Sequence, residues 1–147
     1  MNSDIDILLL GPSDAAVLDR LAPGVFDHAV QPHWRATFLA DPRHHLVVAR
    51  SDGIVVGMAS AVDYVHPDKA PQLWINEVGV SPAYRRRGIG RRLVERLVEL
   101  ATELGCTEVW VLTDTGNAAA NRLYAAAGAE VPPAASLMYT IPIRRSD

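Results

Sequence analysis

Apolar residues fall at every second position at the start of the chain: Ile5, Ile7 and Leu9 alternate with Asp6, Leu8 and Leu10 before Gly11-Pro12, which predicts a short strand ending in a turn. After Ser13 the spacing becomes helical, with Ala16, Val17, Leu18 and Leu21 on one face, Ser13 placed as an N-cap and Pro23-Gly24 as the stop. A second helix is predicted over 31–40, carrying Trp34, Phe38 and Leu39 and interrupted by Asp41-Pro42. The apolar runs 46–49 and 54–62 flank Ser51-Asp52-Gly53, a hairpin signal. A loop over 63–71 leads to a strand over 72–80, which Ser81-Pro82 ends because proline has no N–H for a ladder.

The later half is clearer. Over 91–104 Leu93, Leu97, Leu100 and Leu104 recur at helical spacing beside Val94, Val98 and Ala101, while Arg92, Glu95, Arg96, Glu99 and Glu103 cover the other face. Gly105 fits a helix C-terminus, 108–112 reads as a buried strand, and a helix over 117–127 stops at Gly128. A last strand is expected over 137–143, before a charged tail at 144–147. The order is strand, helices, three antiparallel strands, helix, strand, helix, strand, so the class is mixed α/β (α+β) around one sheet.

The length of 147 residues fits a single domain over 1–147, which by size scaling buries about 68% of its unfolded surface and needs no staple. With 49% hydrophobic and 21% charged residues the composition is globular. A net charge of -3 argues against nucleic acid or a membrane surface as partner. The lone Cys106 requires no oxidising compartment, and the acidic start with its short apolar run over 7–10 predicts neither signal peptide nor membrane span; a cytoplasmic protein is the simplest reading. His28, His33, His44, His45 and His66 have no metal-ligand spacing, so no metal site is expected.

Chemistry concentrates at Val78-Gly79-Val80-Ser81-Pro82-Ala83-Tyr84-Arg85-Arg86-Arg87-Gly88-Ile89-Gly90, a strand and a glycine-bearing turn that opens a helix. A helix N-terminus presents unpaired N–H groups and a partial positive charge, and Gly88 and Gly90 let an anion approach the backbone, so phosphate is the natural guest. The segment also fits a solvated helix entry. It is neither a dinucleotide fingerprint nor a P-loop.

Arg85-x-x-Gly88-x-Gly90 after Val-Ser-Pro resembles the acyl-coenzyme A signature, R/Q-x-x-G-x-G/A, of the GNAT superfamily of N-acetyltransferases. Asn117-x-x-Ala120-x-x-Leu123-Tyr124-x-x-x-Gly128 resembles its second motif, with Ala129 where that pattern has a bulky aromatic. The resemblance covers roughly 46–143 and implies a mostly antiparallel twisted sheet of six to seven strands, about four flanking helices and a splayed parallel pair near acetyl-CoA. By that resemblance, the stretch Arg86, Arg87, Gly88, Ile89 and Gly90, with Arg85 and Arg91, holds the pyrophosphate. Val78, Gly79 and Val80 offer main-chain groups to the pantetheine arm, Asn117 and Ala120 lie beside it, and the Tyr124 hydroxyl points at the sulfur. Tyr124 also fits a core tyrosine.

A primary amine, with a reference pKa near 10.4, loses its proton at neutral pH at about 4 to 5 kcal/mol, whereas a thiol near 8.5 ionises for about 2 kcal/mol. A base is therefore the larger need. Glu77, on the strand entering the loop, is the candidate, equally readable as a substrate-binding carboxylate; His66 is a minor alternative. Asp63, Asp68 and Asp114, expected in loops, would favour a cationic acceptor. Cys106 gives no reason for a covalent enzyme intermediate, so the expected reaction is direct attack of an amine on acetyl-CoA. The hairpin pattern with Glu77 is similar to the aminoglycoside 3-N-acetyltransferases. The alternatives are another small amine, a protein amine, and a non-catalytic acyl-CoA binding module. An edge strand near the C-terminus offers a homodimer contact.

Overall fold

The computed structural model describes residues 4–144, so the first three residues and the tail 145–147 lie outside the described residues. One five-stranded sheet runs β1 (Asp6–Leu9), β2 (His44–Ser51), β3 (Ile54–Tyr64), β4 (Gln72–Val80), β5 (Val109–Val111) in spatial order. Neighbouring strands are antiparallel except the last pair, β4 and β5, which is parallel as expected. Three α-helices accompany it: α1 (Pro32–Ala40), α2 (Ile89–Glu103) and α3 (Ala118–Ala126).

The hairpin between β2 and β3 turns on Asp52 and Gly53, at φ 49° and 76°, the two left-handed residues a tight twisted turn requires. Gly105, at φ 76°, ends α2 as the spacing predicts. Most of the expected stripe of α2 is buried: Leu93, Val94, Leu97, Leu100 and Ala101 pack on Val47, Val56, Leu73 and Ile75 of the sheet, whereas Val98 and Leu104, expected beside them, are exposed. The opposite sheet face is covered over β2 and the start of β3, where Leu46, Val48, Val55 and Met58 meet Leu18, Val25 and Leu39. The result is three layers, helix on sheet on helix and loop.

Several expectations are corrected. Five strands and three α-helices stand in place of six to seven strands and about four helices. The segment after Ser13 is a 3-10 helix, Ala15–Asp19, with Asp14 rather than Ser13 at its cap; the Asp14 carboxylate accepts from the Gly11 N–H at 2.7 Å. The last strand expected over 137–143 does not form, and Leu137, Tyr139 and Ile141 are exposed. Pro142 removes one of its backbone donors, and β5, the edge strand at that end of the sheet order, is only 3 residues long. β5 itself is half-buried rather than buried. Among the described residues, no helix is long and apolar enough to cross a membrane.

Candidate active site

The site begins with a fork. β5 accompanies β4 only from Leu73 to Ile75, whereas β3 stays paired with β4 to Val80, so the outer main chain of 76–80 has no strand beside it. The β3–β4 register shifts there: Ser60 opposes Glu77 and Ala61 opposes Ile75, leaving Asn76 as the extra residue of a bulge. A bulge bends and twists its strand, which opens the gap from β5.

A cleft of about 960 Å³ fills this gap, bounded by β4, the 84–91 loop, Leu112 and Thr113 after β5, and α3. Val78 and Val80 turn their side chains to the α2 core and leave their main-chain groups to the cleft. At its far end Arg86 and Gly88 both adopt left-handed backbone, φ 63° and 75°, and Gly88 caps α2. Alternating left- and right-handed residues turn successive N–H groups to one side, which makes an anion cradle at the helix N-terminus. A Cβ at Gly88 would meet nothing within 4 Å, so this backbone is open to a guest. Gly90 has a different reason to be small: its Cβ would stand 3.3 Å from Leu123, so it lets α3 close on α2. These residues fit a pyrophosphate by donor chemistry and by space.

The arginines divide. Arg85 and Arg86 line the cleft, with the Arg85 Nε–H donating to the Val80 carbonyl at 3.2 Å. Arg91 also lines it while paired with Glu95 at 2.7 Å. The Arg87 side chain lies over the Tyr84 ring at 5.1 Å, away from the lining, so only its backbone faces the turn's guest. Ile89 is buried in the core and presents only backbone.

At the fork, Tyr124 of α3 lines the cleft together with Ile75 and Val111. Burial pushes its phenol pKa up, so it keeps its proton at neutral pH and can donate it. Asn117 and Ala120 line the same wall, but Asn117 is first a cap, its side-chain oxygen accepting from the Ala120 N–H at 3.0 Å. Glu77 is exposed on β4 and lines the cleft. Asp63 is not in a loop but in β3, bonded to His45 at 2.7 Å, and Asp114 lies in the turn before α3; neither lines the cleft. His66 bonds Gln72 at 2.7 Å outside it.

The residues missed from the sequence include Val25 and Asp27, brought over β4 by the loop after Pro23, and Arg122 on α3. The loop is anchored by the buried Ser81 hydroxyl, which donates to the Pro23 carbonyl at 2.7 Å, a contact no local pattern announces. Arg122 was legible, two residues before Tyr124 in the same motif. Among the described residues no cluster of three or more His, Cys, Asp or Glu could hold a metal ion.

Comparison with known proteins gives the family and the fold. The chain is 40% identical over 90 residues to the N-alpha-acetyltransferase RimI of Mycobacterium tuberculosis, covering 61% of this chain and 54% of the relative. It is 30% identical over 87 residues to the aminoglycoside N(6')-acetyltransferase type 1 of Salmonella typhimurium, covering 56% of this chain and 60% of the relative. The match thus spans little more than half the length of these relatives, and their aminoglycoside member is of the 6' kind, correcting the 3-N expectation. In fold the chain is similar to an aminoglycoside acetyltransferase from an uncultured soil metagenomic sample, with TM-score 0.78, 22% identity and coverage of 96% and 99%. It is also similar to AAC(6')-Iy in complex with the bisubstrate analogue CoA-S-monomethyl-acetylneamine, with TM-score 0.74, 22% identity and coverage of 96% and 100%. The model of the Acetyltransferase (GNAT) family matches residues 16–129, and the chain belongs to that family.

Proposed function

We propose that this chain, as one domain, is an acetyl-CoA-dependent N-acetyltransferase that moves the acetyl group directly to a primary amine. The observation that carries the reading is the continuity of one cleft from the amide-lined turn at Arg86–Gly88 to the protonated Tyr124 at the β4–β5 fork, with Glu77 on its rim. Bound there, acetyl-CoA supplies the activated acetyl thioester. The 86–90 amides, with Arg85 and Arg86, hold the pyrophosphate, and the main chain of 78–80 on the side turned away from β3 hydrogen-bonds the pantetheine arm. Asn117 and Ala120 form the opposite wall.

Glu77 takes the proton that frees the amine, the larger of the two barriers, and passes it to water; the nitrogen then bonds the acetyl carbon and gives its remaining extra proton to Glu77 as the carbon–sulfur bond breaks. Tyr124 gives its proton to the departing sulfur. Glu77 and Asp27 give the rim negative charge, which favours a cationic acceptor. An aminoglycoside is the acceptor this charge suits best. A protein N-terminal amine is the second reading, favoured by the 40% identity to an N-alpha-acetyltransferase.

The test is thiol release from acetyl-CoA, followed with a chromogenic thiol reagent, across aminoglycosides, polyamines, amino acids and short peptides. Acceptor-dependent release establishes the enzyme and picks the acceptor class. CoA binding without release above background with every class would replace this reading by an acyl-CoA binding module.

A further inference from the structure

The sheet has one open aromatic face. The layer carrying Leu18, Val25 and Leu39 covers β2, the start of β3 and, where Val25 crosses Gly79, the far end of β4, and includes neither Trp74 nor any residue of β5. On the uncovered part, Trp74 and Trp110 are register partners, their rings 6.3 Å apart and 87° inclined. His66 joins Trp110 edge-on at 6.4 Å, and Tyr64 joins His66 at 5.1 Å. The rings are held in place: the Trp110 indole N–H donates to the Glu108 carboxylate at 2.9 Å, and His66 is bonded to Gln72 at 2.7 Å. Tyr64 is 55% exposed.

The strand parity ties this face to the cleft. Leu73, Ile75 and Val78 pack into the α2 side, so Trp74 and Glu77 are the successive outward residues of β4 on either side of the Asn76 bulge. On β5 and its continuation, Trp110 and Leu112 alternate outward in the same way, and Leu112 lines the cleft with Glu77. The aromatic face therefore lies on the same side of the sheet as Glu77, next to the cleft rather than within its lining.

We propose that Tyr64, His66, Trp74 and Trp110 form the acceptor subsite, taking a cationic amine on a saturated skeleton and delivering its nitrogen to Glu77. Ring faces attract ammonium groups and pack well against saturated carbon, and Glu77 and Glu108 at the border supply the opposite charge. Rigid, pre-placed rings lose little entropy when a ligand lies on them. The chemistry is shared by an amino-sugar ring and by a polyamine chain. The inference rests on the cleft being the acetyl-transfer site.

The test uses the full chain saturated with CoA, titrated with neamine in one arm and spermidine in the other, with intrinsic tryptophan fluorescence and calorimetry as readouts. A saturable change with neamine alone assigns a ring, with spermidine alone a chain, and with both the shared ammonium; each supports the subsite. Trp34→Phe, a change on α1, should preserve the signal. Trp110→Ala should weaken the amine Kd about tenfold or more and leave the CoA Kd within about twofold, and Trp110→Phe should recover most of the loss. CoA binding with no saturable amine response in either arm, or an amine Kd within about twofold of wild type in Trp110→Ala, overturns the subsite. Failure of CoA itself to bind overturns the reading of the cleft, and the subsite with it.

Discussion

Gly79 carries no side chain because the loop after Pro23 crosses it. A Cβ at this position would overlap the Val25 carbonyl oxygen, a backbone atom that cannot rotate aside as the end of a side chain can. Its φ is not in the left-handed region, so the effect of Gly79→Ala is steric alone. Relieving the overlap means lifting the loop from β4, an overpacking strain of about 1 to 3 kcal/mol. The same lift pulls the Pro23 carbonyl from the Ser81 hydroxyl, a bond of 2.7 Å whose loss adds about 1 kcal/mol. Gly79→Ala should therefore lose about 2 to 4 kcal/mol, a large share of the stability of an ordinary domain. Urea unfolding measures it, with the midpoint falling at unchanged slope. Gly116→Ala, where a Cβ would meet nothing within 4 Å, is the control and should stay within about 0.5 kcal/mol. If Gly79→Ala also stays within about 0.5 kcal/mol, the loop is not seated on β4 as described and the wall made by Val25 and Asp27 falls with it.

Four further outcomes follow from the same geometry. Tyr124→Phe should lower kcat about 100-fold with an unchanged Kd for CoA, and an unchanged kcat in steady-state assays removes Tyr124 as the acid. The phenol pKa is raised in the folded state, so the stability that burial of the neutral ring contributes is complete below about pH 10 and is lost as pH rises through the folded value; Tyr124→Phe should flatten that alkaline loss in pH-dependent unfolding. Burial, with Asp63 adding to it, pushes the Cys106 thiol up, so at pH 7 iodoacetamide should label the folded protein far more slowly than the unfolded one, and equal rates would refute a protected thiol. Gly88→Ala meets no atom but must hold φ 75°, a strain of about 1 kcal/mol, and should weaken CoA binding in calorimetry by spoiling the cradle.

What the sequence made legible was local. The four-three-four spacing of Leu93, Leu97, Leu100 and Leu104 and the Asp52-Gly53 turn specify their elements through nearest neighbours, and α2 and the hairpin form where the pattern places them. The 85–90 turn and Tyr124 were legible because motif and helix lie within one stretch of chain, and both line the cleft. Asp63 misled because a polar residue at a strand end reads as a loop, while its bond to His45 lies 18 residues away. Asp27 was invisible because its place depends on a hydroxyl 54 positions later, at Ser81, holding the loop. Alternation over 137–143 satisfies strand chemistry without providing a partner, and a strand exists only in a pair.

The bulge at Asn76 leaves β4 over 76–80 with β3 on one side and a gap on the other, so the donors and acceptors of its alternate residues face no neighbour. An uncovered edge of this kind is also the surface through which sheets stick to one another. Whatever molecule lies along it completes the sheet, and it adds RT ln(1 + [L]/Kd) to the folding free energy, about 2.7 kcal/mol at a hundredfold excess over Kd. The folded fraction, and with it resistance to proteolysis and to clumping, then tracks how much of that molecule the surroundings hold. Melting temperature becomes a gauge of occupancy, and the protein is most fragile when its guest is scarce.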